Sequence, residues 1–309
     1  DLNKPSMENW TTVIPESRDL TIEGAEFVKG HIVLSVLKDA VSYLHIHKMD
    51  GQFVKEIQLP TLGTITGLTG DLSEPEFFFA FESFLIPPAI YSCDIDADRA
   101  RPFIESDKAF DQDMAAVEQV FYPSKDGTII PMFILKPNTC QIGEGKPYPT
   151  VLSGYGGFNT SRTPAYSPSV IPWIESGGIY ASANLRGGSE YGEEWHRAGM
   201  LDKKQNVFDD FIAAGEYLID KGYTDRDHLG IWGRSNGGLL VGAALTQRPD
   251  LFRAVACGVP LLDMVRYHKF LIASLWCYEY GNPDNAEDFN WIYAYSPYHH
   301  VSEDVSYPA

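Results

Sequence analysis

Between Leu229 and Leu245 the chain reads LGIWGRSNGGLLVGAAL. Ser235 stands between Gly233 and Gly237, with a strand-like apolar run before it and a helix-like run after it. A G-x-S-x-G segment in that setting is a nucleophile elbow. The turn is sharp, the glycines let backbones approach, and the hydroxyl stands exposed above a sheet. The helix start aims N–H groups and a positive dipole at charge forming nearby. The N–H of Asn236, the residue after the nucleophile, is the natural oxyanion donor. A plainer reading is a serine N-cap in a glycine-rich turn. The surrounding pattern decides against it.

That pattern alternates. YPTVLSGYGG (148–157) and GIYASANLRGG (178–188) read as buried strands ending in glycines. Val207, Phe208, Phe211, Ile212, Ala214, Leu218 and Ile219 recur at helical spacing between Gln205 and Gly222. HLGIWG (228–233) is a strand, NGGLLVGAALTQ (236–247) a helix, and FRAVACGVP (252–260) a strand again. Alternating strands and helices imply a doubly wound, mostly parallel α/β sheet, with its site at the carboxyl ends of the strands. FYPSKDGTIIPMFILKP (121–137) precedes this as a hairpin turned at Lys125-Asp126-Gly127.

The first hundred residues read as all-β. HIVLSVLK (31–38), VSYLHIHKM (41–49) and QFVKEIQL (52–59) are strands, with Asp50-Gly51 as a hairpin turn. About 45 residues later the pattern returns as EFFFAFES (76–83) and AIYSCDIDA (89–97). Strands at that period suggest four-stranded propeller blades, and two blades do not close a ring. An incomplete propeller or a smaller sandwich both fit.

SGYGGFNTSRTPAYSPS, NLRGGSEYGEEWHRAG, GRSNGGLLVGAALTQRPDLFRAVACGVPLLDM and the pair LWCYEYGNPD and YSPYHHV together resemble the prolyl oligopeptidases. The likeness is strongest from about residue 120 onward. It implies the last blades of a β-propeller over residues 1–112, then an α/β-hydrolase domain over 113–309 that is incomplete at its C-terminus. It implies a serine-type endopeptidase that hydrolyses short peptides after proline. Ser235 corresponds to the acylated nucleophile and Tyr155 to a tyrosine that joins the Asn236 N–H in the oxyanion hole. Phe158, Trp276 and Tyr280 correspond to the proline pocket. A flat indole suits a pyrrolidine ring, which offers no N–H. Relatives that cleave after basic residues carry an acidic group nearby, and Glu279 is close in sequence. Taken singly, Phe158 and Tyr280 read as core, Cys277 as a buried filler, His196 as a structural hydrogen-bonder, and Arg186 and Glu190 as loop ion pairs.

A serine nucleophile needs a histidine and a carboxylate, in the chain order Ser, acid, His for this fold. After Ser235 the acids include Asp263, Asp284, Asp288 and Asp304, and the bases are His268, His299 and His300. None suits. His268 lies in a stretch that reads as a helix. His299 and His300 precede the next strand, expected to begin at Tyr307. The acid and base are expected beyond residue 309, and the chain by itself is expected to be inactive.

The net charge of −18 argues against nucleic acid or an anionic membrane surface. No apolar run is long enough to span a membrane. Cys93, Cys140, Cys257 and Cys277 show no C-x-x-C spacing, so neither a zinc site nor a disulfide framework is expected. The reading is a cofactor-free, metal-free, monomeric enzyme acting on short proline-containing peptides in the cytoplasm, with export of a longer parent left open. The alternatives are an oligopeptidase of other specificity, an esterase, and a non-catalytic interaction protein.

Overall fold

The computed structural model describes residues 3–17, 19–104 and 112–308. It divides into two compact units, residues 1–107 and 108–309. The expected boundary at 112/113 adjoins residues 105–111, which lie outside the described residues.

The first unit contains two antiparallel four-stranded meanders, each in chain order. One is β1 (Thr21–Val28), β2 (His31–Lys38), β3 (Val41–Lys48) and β4 (Phe53–Ile57). The other is β5 (Thr64–Thr69), β6 (Glu76–Glu82), β7 (Ala89–Asp94) and β8 (Arg101–Ile104). The sequence repeat is structural: HIVLSVLK and EFFFAFES are the second strands of the two sheets, and the following runs are their third strands. Gly51, at φ 89°, closes the β3–β4 turn as Asp50-Gly51 predicts. Val28, Val33, Leu44 and Ile46 of one sheet and Phe77, Phe79 and Phe81 of the other form a shared core. Strands β1, β5 and β8 were not expected, because they flank the inner strands and show little apolar alternation. All four residues of β8 are exposed.

The second unit is built on a six-stranded sheet of β9 (Ala115–Pro123), β10 (Ile129–Pro137), β11 (Thr150–Ser153), β12 (Ile179–Ala183), β13 (Leu229–Arg234) and β14 (Ala254–Gly258). Its order is β14-β13-β11-β12-β10-β9. Pairing is parallel from β14 to β12 and antiparallel for β10 and β9. Every residue of β12 is buried. Successive side chains of a strand face opposite sides, so both faces are covered, as in a doubly wound sheet.

Among the described residues six helices complete the unit: α1 (Ile171–Glu175), α2 (Glu193–Arg197), α3 (Gln205–Asp220), α4 (Asn236–Gln247), α5 (Cys277–Tyr280) and α6 (Ala286–Tyr295). Helix α3 buries Val207, Phe208, Phe211, Ala214 and Leu218, the stripe read from its periodicity. Its Asp210 is fully buried and pairs with Arg186, whose guanidinium also meets Asp126 at 2.6 Å. His268, expected in a helix, lies in a single 3₁₀ turn, Tyr267–Lys269. No strand begins at Tyr307; residues 306–308 are irregular.

Candidate active site

Ser235 leaves the carboxyl end of β13 and stands at the N-terminal boundary of α4, where its side chain makes no capping hydrogen bond; its φ 59° and ψ −119° cost a non-glycine residue strain. Its backbone is fixed on both sides. The Ser235 N–H donates to the Gly258 carbonyl at 3.0 Å, and the Gly238 and Leu239 N–H groups donate to its carbonyl. The turn is too tight for side chains. A Cβ on Gly233 would lie 2.0 Å from the Gly237 carbonyl oxygen, and one on Gly237 would lie 2.8 Å from that of Gly154. Asn236 opens the helix, so its own N–H has no intrahelical acceptor.

The loop after β11 runs beside this turn. Asn236 Nδ2 donates to the Tyr155 carbonyl at 2.5 Å, and Asn236 Oδ1 accepts from the Tyr280 hydroxyl at 2.8 Å. The next carbonyl, of Gly156, accepts from Lys204 Nζ at 2.9 Å. Phe158 follows at φ 57°, a left-handed turn that brings its ring onto three aromatic neighbours. Its ring is nearly perpendicular to those of Trp276, Tyr278 and Tyr280, at centroid distances of 6.3, 6.0 and 5.4 Å. Edge-to-face contacts of this kind fix ring orientation as well as burying area.

A pocket of about 250 Å³ results, lined by Tyr155, Phe158, Ser235, Leu261, Trp276 and Tyr280. Five of the six expected site residues line it, and the sixth, Asn236, is buried behind it and hydrogen-bonded to two of them. Leu261 was not expected in the wall, nor Tyr278 against Phe158. Leu261 follows β14 by three residues, and an isolated leucine carries no signal of a pocket. A second groove of about 500 Å³ adjoins Ser235 and contains Tyr155, Arg162, Trp232, Arg234 and Val259. A cavity of about 550 Å³ around Ser124, Lys125, Asp209 and Gln247 holds none of these residues.

Glu279 does not face the pocket. It is fully buried, accepts from Lys204 Nζ at 3.1 Å and is bonded to His196 Nε2 at 2.8 Å. Burial lowers the basicity of Lys204, and the Glu279 carboxylate opposes that. His196 is thus the structural partner its sequence context suggested. Glu190 departs from expectation. It forms no ion pair among the described residues; Oε1 accepts from the Arg162 N–H at 2.8 Å, and Oε2 is buried without a partner. Burial pushes its carboxyl up to about 7.

No histidine among the described residues is hydrogen-bonded to Ser235. His268 Nε2 meets Asp284 at 3.1 Å, His299 Nδ1 meets the Ser296 hydroxyl, and His300 Nδ1 the Ser296 carbonyl. The described residues contain no group of three or more potential metal ligands, and no helix long and apolar enough to cross a membrane. All four cysteines are free.

Comparison with known proteins places this arrangement. Residues 164–309 match the model for the "Prolyl oligopeptidase family", and residues 1–106 that for "Prolyl oligopeptidase, N-terminal beta-propeller domain". The chain is 42% identical to the prolyl endopeptidase of Elizabethkingia miricola, over all of this chain and 43% of that protein. It is 39% identical to the prolyl endopeptidase of Dictyostelium discoideum, over 99% of this chain and 41% of that one. A solved structure, from a study of inter-domain dynamics in the catalysis and specificity of two prolyl endopeptidases, matches with a TM-score of 0.94 and 46% identity. That match covers all of this chain and 45% of the other. Prolyl oligopeptidase B from Galerina marginata, bound to a 25mer macrocyclization substrate, matches with a TM-score of 0.89 and 32% identity, over 96% of this chain and 42% of that one. The chain spans less than half the length of these relatives. Two propeller blades, a mostly parallel sheet with a strained serine elbow, and both family matches lead to one conclusion: the chain belongs to the prolyl oligopeptidase family.

Proposed function

We propose that the whole protein is a serine endopeptidase that hydrolyses short peptides on the carboxyl side of proline. The observation that carries this reading is the small aromatic pocket opening onto Ser235. A pyrrolidine ring fits flat against Trp276 and edge-on to Phe158, and its tertiary amide asks for no hydrogen-bond acceptor there. The peptide carbonyl that follows then lies over Ser235. Attack by Oγ forms the tetrahedral adduct, and the Asn236 N–H and Tyr155 hydroxyl stabilise its oxyanion. Collapse expels the amine and leaves an acyl group on Ser235, which water hydrolyses.

This chemistry needs a histidine to carry the serine proton to the leaving amine and a carboxylate to orient that histidine. No described histidine does so, and the relatives are more than twice the length of this chain. We assign both groups to the remaining sequence of the whole protein. The sequestration of Glu279 by Lys204 and His196 argues against cleavage after basic residues. The free cysteines support a reducing compartment such as the cytoplasm.

The test is turnover by the full-length protein of matched peptide amides with proline or alanine before the scissile bond, with Ser235→Ala as control. Fast cleavage of the proline substrate alone, abolished by Ser235→Ala, is expected. Equal cleavage of both, or cleavage after lysine, overturns the specificity. Activity that survives Ser235→Ala overturns the mechanism.

A further inference from the structure

Two adjacent carbonyls of the loop that carries Tyr155 are each held by a buried side chain. Asn236 Nδ2 holds the Tyr155 carbonyl, and Lys204 Nζ holds that of Gly156. Each of those side chains is held in turn by the segment that forms the pocket floor. Asn236 accepts from the Tyr280 hydroxyl, and Lys204 donates to Glu279. The lysine side chain is 1% exposed and Glu279 0%. His196 occupies the second oxygen of Glu279, so the carboxylate is fixed at both oxygens. The ammonium also sits 5.3 Å from the centre of the Tyr280 ring. Between the two bridges lies Gly157, where a Cβ would come within 2.7 Å of Asn236 Nδ2 and 2.9 Å of Lys204 Nζ. The packing leaves the loop one path.

A buried lysine is costly unless its charge is answered and its protons are all used. Ordinary packing at this position calls for an apolar side chain. What the ammonium adds is direction: it fixes the plane of the peptide joining Gly156 to Gly157, the second peptide after the residue whose hydroxyl is the proposed oxyanion donor. Oxyanion stabilisation depends on donors held where charge develops, and a misplacement of about 1 Å costs about 10²-fold.

We propose that Lys204, anchored by Glu279, is a positioning residue for acyl transfer: it holds the Gly156 carbonyl so that Tyr155 meets the oxyanion formed at Ser235, and it ties that loop to the floor of the specificity pocket. The inference rests on the function proposed above. Lys204 acts through Tyr155 and touches no reacting atom.

The experiment is a double-mutant cycle in the full-length protein, with Lys204→Met and Tyr155→Phe made singly and together. Lys204→Met removes the ammonium and keeps the length of the side chain. It is expected to lower kcat by about 10²-fold on a proline amide, with KM changed by less than about threefold. In the Tyr155→Phe background the same change is expected to cost less than about threefold, because the donor it aims is already gone. A peptidyl-prolinal aldehyde, which forms an oxyanion on the serine, is expected to lose affinity in parallel with kcat. The product peptide ending in proline is expected to keep its affinity. Full additivity of the two substitutions, or equal weakening of aldehyde and product, overturns the proposal and leaves Lys204 as packing. Should Lys204→Met fail to fold, Glu279→Gln takes its place in the cycle, with about tenfold expected for a loosened charge-assisted contact. A parent that does not cleave after proline overturns the reading of the site as well. An active parent with additive effects overturns only the role of Lys204.

Discussion

Asn236 and Tyr155, 81 residues apart in sequence, are joined by a hydrogen bond of 2.5 Å from the amide of one to the carbonyl of the other. The helix that presents Ser235 thus grips the loop that presents the tyrosine. Both begin at carboxyl ends of neighbouring parallel strands, β11 and β13. With the hydroxyl of Tyr155 as oxyanion donor, Tyr155→Phe keeps the ring and removes the donor. The expected outcome in the full-length protein is a fall in kcat of about 10²–10³, with little change in KM. A phenylalanine variant nearly as active as the parent would reduce Tyr155 to a packing residue.

Trp276 lines the same pocket and meets the edge of Phe158. Trp276→Ala is expected to weaken kcat/KM for proline substrates by about 1–3 kcal/mol, and for alanine substrates by much less. Parallel steady-state measurements on the two substrates decide the point, and unchanged discrimination removes the indole from the specificity pocket.

The 309-residue chain alone is expected to turn over peptide amides about 10⁶-fold below an intact triad enzyme, because no histidine among the described residues is bonded to Ser235. Single-turnover assays at high protein concentration measure this. Ordinary enzyme rates would require His268, His299 or His300 to leave its present partner and serve as base.

Glu190 makes stability depend on pH in a defined sense. Its carboxyl has a folded value of about 7 against an ordinary 4.5, so the folded state holds the proton more tightly than the unfolded chain. The stabilisation is complete below about pH 4.5 and is lost as pH rises through 7. The parent is therefore expected to lose about 3 kcal/mol relative to Glu190→Gln between pH 4 and pH 8. Urea midpoints of the two proteins across that range provide the measurement, and a constant difference would show that Glu190 ionises freely in the fold.

Much of this fold is written locally in the sequence. The stripe of α3 and the Asp50-Gly51 turn follow from spacing and turn chemistry alone, and they appear where expected. Helix α6 was missed although its signal is present: Asn285 caps it by accepting from the Glu287 N–H, and Glu287 and Asp288 lie in the first turn. The site divides in the same way. Ser235 and Asn236 announce themselves by motif, and Tyr155, Phe158, Trp276 and Tyr280 by family likeness. Lys204 gives no sign. In the run Asp-Lys-Lys-Gln it reads as surface charge, and only the packing of three distant segments makes it a buried ammonium. Glu190 was misread for a related reason: its nearest strong partners are backbone and amide groups, which a sequence does not pair.

The strain at Ser235 also has a measurable size. Glycine bears φ 59° without a Cβ penalty, whereas alanine retains it. Ser235→Gly is therefore expected to exceed Ser235→Ala in stability by about 1–2 kcal/mol in urea titrations of the full-length protein, although both lack the hydroxyl. Equal midpoints would mean that the elbow carries no backbone strain.

Gly233 and Gly237 have a consequence for how such a site can change over time. A side chain on Gly233 would need the space of the Gly237 carbonyl, and one on Gly237 the space of the Gly154 carbonyl. A single substitution at either position therefore meets main chain, which no rotamer change elsewhere can move aside. Variation can proceed step by step along the pocket walls, where side chains face side chains. At the elbow there are no intermediate steps: the turn is inherited whole or abandoned, while the pocket walls around it remain free to drift.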